Sequence, residues 1–301
     1  MLSIVLGCVL AGPVGCTATK PPAQAPRAAA APLATGNLQL DQLFPELKDA
    51  RRAITLGDQA LGEAKPDLAT IYYLRAYDLD RTNQIALERL AAVYRNKRDF
   101  KGAEQAYREI LRLNSSHADA NENLGLMRLD ARGYRDAEQL LGKAVAVDPR
   151  RWRAWNGLGI IADIRGDHQH AAECYRSALR AEPQSPMLLS NLGYSYYLAG
   201  DHAQARRYFA AALDIDSGYS RAVRNMGLLE ARERNYRAAV GMLSRVMESH
   251  AAYNDVGYIS MLQGDYAEAD RLLAESIRLS PIYYEKAQEN VRQLRALQQR
   301  Q

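Results

Sequence analysis

Residues 155–183 read WNGLGIIADIRGDHQHAAECYRSALRAEP. Apolar residues recur at helical spacing from Asn156 to Ile164 and stop at Gly166-Asp167. A second run, from Ala171 to Leu179, stops near Pro183, which cannot continue a helix. The stretch predicts two helices joined by a tight turn. It also recurs. Ala69, Ala103, Ala137, Ala171, Ala205 and Ala239 are each 34 residues after the last. Twelve residues before each stands a small residue: Gly57, Ala91, Gly125, Gly159, Gly193 and Gly227. Four residues after each stands a bulky one: Tyr73, Tyr107, Leu141, Tyr175, Phe209 and Leu243. A fixed period of this size marks stacked supersecondary units, none of which can bury its apolar face alone.

The pattern resembles that of the tetratricopeptide repeat family, W-x2-L-G-x2-Y, then A-x3-F/Y, A and P. Trp155, Leu158, Gly159, Ala171, Tyr175, Ala178 and Pro183 carry it, followed by Leu192, Gly193, Tyr196, Ala205, Phe209 and Ala212. The resemblance implies an all-α, right-handed superhelical solenoid of stacked antiparallel helix pairs. Seven units fall at 50–83, 84–117, 118–151, 152–185, 186–219, 220–249 and 250–283, within a solenoid over 41–283. Unit 220–249 is four residues short, the loss falling around 248–250, which predicts an altered crossing angle to the next unit. The first unit is degenerate, with Pro66 in its turn, as terminal repeats often are. Residues 284–301 predict one charged capping helix.

Residues 2–15 are apolar with small residues, too short a run to span a bilayer comfortably, and Cys16 follows Val14-Gly15. A secretory signal over 1–16 fits them. The cysteine at its end resembles the lipid-attachment cysteine of bacterial lipoproteins. That resemblance implies Cys16 as the lipidated N-terminus and, with Thr17 next, sorting to the periplasmic face of the outer membrane. Residues 17–40 are rich in Ala and Pro (Pro21, Pro22, Pro26, Pro32) and predict a semi-extended tether. With Cys8 removed and Cys16 acylated, Cys174 is the remaining thiol, expected to be half-buried and structural.

Thirty-nine basic residues against 35 acidic give a net charge of +4, too balanced to argue for nucleic acid. Arg150-Arg151-Trp152-Arg153 reads as a solvated turn between units, with Trp152 shielding the junction. His168-x-His170-x3-Cys174 contains metal-type ligands, but His202 occupies the same turn site one unit later, and a structural zinc wants four ligands. No metal and no cofactor is expected. Phosphate-cradling loops, zinc-protease helices and serine elbows are absent from the sequence. Asp167, Asp201 and Asp265 follow glycines as turn residues, and with Asp163 they are set aside as catalytic groups. No catalytic residue is assigned, and the period itself argues against an enzyme.

Function is therefore sought on a surface. In the family that the repeats resemble, the first helix of each unit lines a concave groove. The matching places, 2, 5, 9, 12 and 13 in each frame, include Leu126 and Leu129 in unit three and Ile160 and Ile164 in unit four. Unit five supplies Met187, Ser190, Tyr194, Tyr197 and Leu198. Unit six brings Arg221, Arg224 and Arg232, and unit seven Asn254, Tyr258, Met261 and Leu262. This predicts an apolar, tyrosine-rich floor beside an arginine cluster, suited to a peptide or amphipathic helix of a protein partner. The alternative is that these side chains bury against one another. The fifth places (Glu88, Glu122, Asn156, Ser190, Arg224, Asn254) lack the lysine pattern by which some members of the family grip a C-terminal carboxylate.

The last third carries a narrower resemblance. Residues 254–258, 263–269 and 280–284, with Ala287 and Asn290, look like the TadD lipoproteins of Tad/Flp pilus assembly. That implies a pilotin-like or scaffolding role for an outer-membrane secretin. The alternatives are a type IV pilus pilotin or a periplasmic scaffold for polysaccharide or peptidoglycan machinery.

Overall fold

The computed structural model describes residues 40–299; the signal segment, Cys16 and nearly all of the tether lie outside them. Among the described residues every regular element is helical. They form two compact units, with the division between Val147 and Asp148.

The first unit opens with a single turn, α1 (Leu40–Leu43), whose Leu40 is buried. Three antiparallel pairs follow: α2 (Ala50–Gly62) with α3 (Pro66–Leu79), α4 (Gln84–Asn96) with α5 (Phe100–Leu113), and α6 (Ala118–Asp130) with α7 (Tyr134–Val147). The second unit repeats the plan: α8 (Trp152–Ile164) with α9 (His168–Ala181), α10 (Pro186–Leu198) with α11 (His202–Ile215), α12 (Ser220–Arg232) with α13 (Tyr236–Leu243), and α14 (Ser249–Leu262) with α15 (Tyr266–Leu279). A last helix, α16 (Glu285–Gln298), packs on α14 and α15 through Ala287, Asn290 and Leu294.

Local chemistry sets these boundaries. The carboxylates of Asp99, Asp167 and Asp201 accept hydrogen bonds from the backbone N–H of Gly102, His170 and Gln204, capping the second helices. The turn before each cap needs one left-handed residue. Gly166, Gly200 and Gly264 supply it at φ near +80°, but Arg98, Arg132 and Arg234 fill the same place at φ +60°, +60° and +65°.

The core explains the period. Every periodic alanine from Ala69 to Ala239 is fully buried. Each glycine of the series lies against its own bulky partner. A Cβ on Gly159 would come within 2.6 Å of Tyr175, and one on Gly125 within 2.8 Å of Leu141. In these pairs a residue with no side chain lets the helices approach closely, while Ala91 holds the place in the α4–α5 pair.

The short repeat differs from expectation in where it loses its residues. The deficit comes out of the second helix rather than the junction at 248–250. α13 has 8 residues, whereas α11 and α15 have 14. Leu243, the packing residue opposite Gly227, is the last residue of α13, so the helix stops once its core contact is made. Arg245 then donates to the carbonyl of Ser217 at 2.7 Å. Gln263 ties this repeat to the next. It accepts from the Tyr236 hydroxyl at 2.9 Å, donates to the Arg232 carbonyl at 2.6 Å, and its own carbonyl accepts from Arg234 at 3.2 Å.

Candidate partner-binding face

The first helices of the second unit, α8, α10, α12 and α14, hold most of the residues expected on a groove. Residues separated by three, four or seven places share one face of a helix. On α10 that face carries Met187, Tyr194, Tyr197 and Leu198. The rings of Tyr194 and Tyr197 stack with centroids 6.0 Å apart, and His202 also stacks on Tyr197, again at 6.0 Å. Both tyrosines are half-buried, and burial pushes their hydroxyls above the ordinary phenol range; for Tyr197 the Arg232 guanidinium opposes that shift. Leu198 is 39% exposed, Ile164 on α8 48% and Leu262 on α14 56%. Ile160, Met187 and Tyr258 are half-buried, and Arg221, Arg224 and Arg232 on α12 are exposed.

Four expected groove residues are not available on this surface. Ser190 and Asn254 are fully buried, and Met261 and Leu129 nearly so. The reason for the first two is a ladder of hydrogen bonds between successive first helices. Asn191 donates to Asn156 at 2.8 Å, Asn225 to Ser190 at 3.2 Å, and Asn290 to Asn254 at 2.9 Å. The fifth-place residues Asn156 and Ser190 are thus bonded by the sixth-place residue of the next unit, and Asn254 by Asn290 of α16. Arg221 joins the ladder by donating to the side-chain Oδ1 of Asn191 at 3.2 Å. Met261 packs with Ala269, Leu273 and Leu294, under α16. Leu126, half-buried, and Leu129 belong to α6 in the first unit.

Asp163, set aside from sequence, turns out to be a half-buried polar hub. It accepts from the hydroxyls of Tyr175 at 2.9 Å and Ser195 at 2.8 Å, and lies 2.9 Å from His168 Nδ1. Ser195 bonds the carboxylate and the His168 carbonyl, so the cluster holds adjacent repeats together and lacks a serine–histidine relay. Its sequence trace was weak, because Ser195 lies 32 residues from Asp163 and neither stands at a consensus place.

The other clusters singled out in the sequence lie as follows. His170 Nε2 lies 3.7 Å from Cys174 Sγ, and among the described residues no three His, Cys, Asp or Glu side chains are placed to hold a metal ion. Burial pushes the Cys174 thiol up to about 12, which leaves it unreactive. In the basic turn, Arg153 sits over the ring of half-buried Trp152 at 5.2 Å, and Asp148 pairs with Arg150.

Family comparison agrees with this architecture. One tetratricopeptide repeat model matches residues 88–131, 123–186 and 164–220, and a second matches 251–280. The chain belongs to the tetratricopeptide repeat family. The family's fold is a scaffold for binding proteins and peptides, and its members are generally non-enzymatic. No curated protein sequence resembles the chain closely enough to count as a match. Among solved structures, YrrB, described as a tetratricopeptide protein with an unusual peptide-binding site, is 20% identical over 62% of this chain and 96% of its own, with a TM-score of 0.53. Pseudomonas aeruginosa PilF is 21% identical over 80% of this chain and 95% of its own, with a TM-score of 0.51. MamA from Desulfovibrio magneticus RS-1 is 20% identical over 56% of this chain and 96% of its own, also at 0.51. At these identities the likeness concerns the fold.

Proposed function

We propose that this protein is a non-enzymatic adaptor of the bacterial envelope, lipid-anchored through Cys16 on the periplasmic face of the outer membrane. In this reading it acts as a pilotin-like or scaffolding factor for a Tad/Flp-type pilus secretin. The observation that carries the binding role is the exposed face of α10 and its neighbours. Tyr194 and Tyr197 stack there beside the exposed guanidinium side chains of α12. Aromatic and arginine side chains of this kind are the usual anchors of protein interfaces. The envelope assignment is supported by the apolar 2–15 run ending at Cys16 and the tether behind it. The pilus assignment is supported by the TadD-like words over 254–290.

Site-specific photo-crosslinking from position 197 in the native envelope tests the reading. A secretin or pilus-assembly protein as the adduct is the expected result. Adducts with polysaccharide or cell-wall enzymes, or none, overturn the pilus role. Metabolic labelling with a clickable palmitate tests the anchor. Label on the native chain that is lost in Cys16→Ser is expected, and an unlabelled mature chain rejects lipidation.

A further inference from the structure

The face just described has an internal order that points to the chemistry of its occupant; this rests on the groove reading above. On α12, Arg221, Arg224, Leu228 and Arg232 stand at i, i+3, i+7 and i+11, which places them in one stripe. α12 packs directly against α10 on one side and α14 on the other. The neighbouring stripes are apolar and aromatic: Tyr194, Tyr197 and Leu198 on α10, Tyr258 and Leu262 on α14. A cationic band therefore runs between two apolar ones.

The acidic residues of these helices are committed elsewhere. Glu230 and Glu233 both pair with Arg206 of α11, across the back of α12. Asp163 holds Tyr175, Ser195 and His168. Asp255 pairs with Lys286 at 2.6 Å. Arg221 reaches the neutral side-chain amide Oδ1 of Asn191. A partner's negative charge would therefore complement the α12 stripe. Spacing adds the second constraint. Packed helices lie about 8–10 Å apart. An extended chain advances about 3.3 Å per residue, so about three residues carry it from one helix to the next.

We infer that this face receives an extended peptide in which one Asp or Glu is flanked by large apolar side chains about three residues away on either side. The carboxylate seats on the α12 arginines, and the apolar groups lie on Tyr194–Tyr197 and on Leu262. Arginine suits this role because its planar fork binds a carboxylate through two parallel hydrogen bonds.

The test begins with a random peptide library on phage, panned against the full chain and counter-panned against Tyr197→Ala. Selected peptides, made with a fluorescent label, are measured by anisotropy against the native chain, Arg224→Glu/Arg232→Glu and Tyr197→Ala, with circular dichroism confirming that each variant folds. The expected consensus is apolar, two spacers, acidic, two spacers, apolar. The charge-reversed chain should bind it at least about tenfold more weakly and regain affinity for a peptide with Lys at the acidic place. Binding should also weaken as salt rises. Tyr197-dependent peptides that lack an acidic centre, or that ignore the arginine reversal, overturn this inference and leave the groove reading standing. A library with no Tyr197-dependent binder overturns both.

Discussion

A Cβ atom placed on Gly193 of α10 would lie 2.7 Å from Cδ1 of Phe209 on α11 and 3.2 Å from the carbonyl oxygen of Ala205. Phe209 is fully buried, so its ring cannot swing aside. Gly193→Leu is expected to overpack the pair and lower stability by about 3 kcal/mol or more. Gly142 on α7 has nothing within 4 Å of its would-be Cβ. There Gly→Ala should gain about 1 kcal/mol from helix propensity alone. Thermal unfolding of the two variants measures opposite signs if the close approach, and not the residue type, is what the fold requires.

The left-handed turn places give a second contrast. Arg132 sits at φ +60°, where an L side chain is strained, and Gly200 at φ +81° fills the matching place of another repeat. Arg132→Gly should stabilise by up to about 1 kcal/mol, and Gly200→Ala should destabilise by a similar amount. Denaturant midpoints of both variants check this.

Acid stability has identifiable sources. The Arg206 guanidinium, first by its hydrogen bond, holds the Glu230 carboxyl below the usual range against the opposing effect of burial. In the first unit Arg112 and the Tyr77 hydroxyl do the same for Glu109. Because these folded-state values are depressed, their stabilisation is fully present above the unfolded carboxylate value. It is lost as pH falls through the lowered folded value. Melting temperature should therefore fall below about pH 4. Glu230→Gln should melt lower at neutral pH and lose part of that acid dependence. An unchanged pH slope in the variant would remove Glu230 as a source.

The Asp163 hub should be costly to remove. Asp163→Ala leaves the buried Tyr175 hydroxyl without its acceptor, at an expected loss of about 1–3 kcal/mol. Adding Tyr175→Phe should restore part of that loss, since the orphaned hydroxyl then disappears. A double-mutant cycle in urea reads the coupling.

Tyr197→Ala separates surface from core. The ring is half-buried against Tyr194 and His202. The variant should lose much less stability than Phe209→Ala, for which about 3–5 kcal/mol is expected, while abolishing crosslinking at the neighbouring Tyr194 position. Equal losses of melting temperature would make Tyr197 a core residue.

Much of this molecule could be read without coordinates, because a repeat contacts only its neighbours. The small residue twelve places before each alanine and the bulky one four places after it already define one helix pair, and copying that pair along the chain builds each unit. The resemblance to the repeat family likewise put Tyr194, Tyr197, Leu198 and Arg232 on one surface, and a period near 3.6 sorts the first three onto one face of α10. It did not sort them by depth. Ser190 and Asn254 share that face with Tyr194 and Tyr258, yet each is buried under an asparagine 35 or 36 residues later in the chain. Asp163 and Ser195 look like ordinary helix residues until adjacent repeats bring them within 2.8 Å. The period is a property of the chain and survives in any conformation. Which polar groups meet across two repeats depends on the packed distance between helices, and that exists only once the stack has formed.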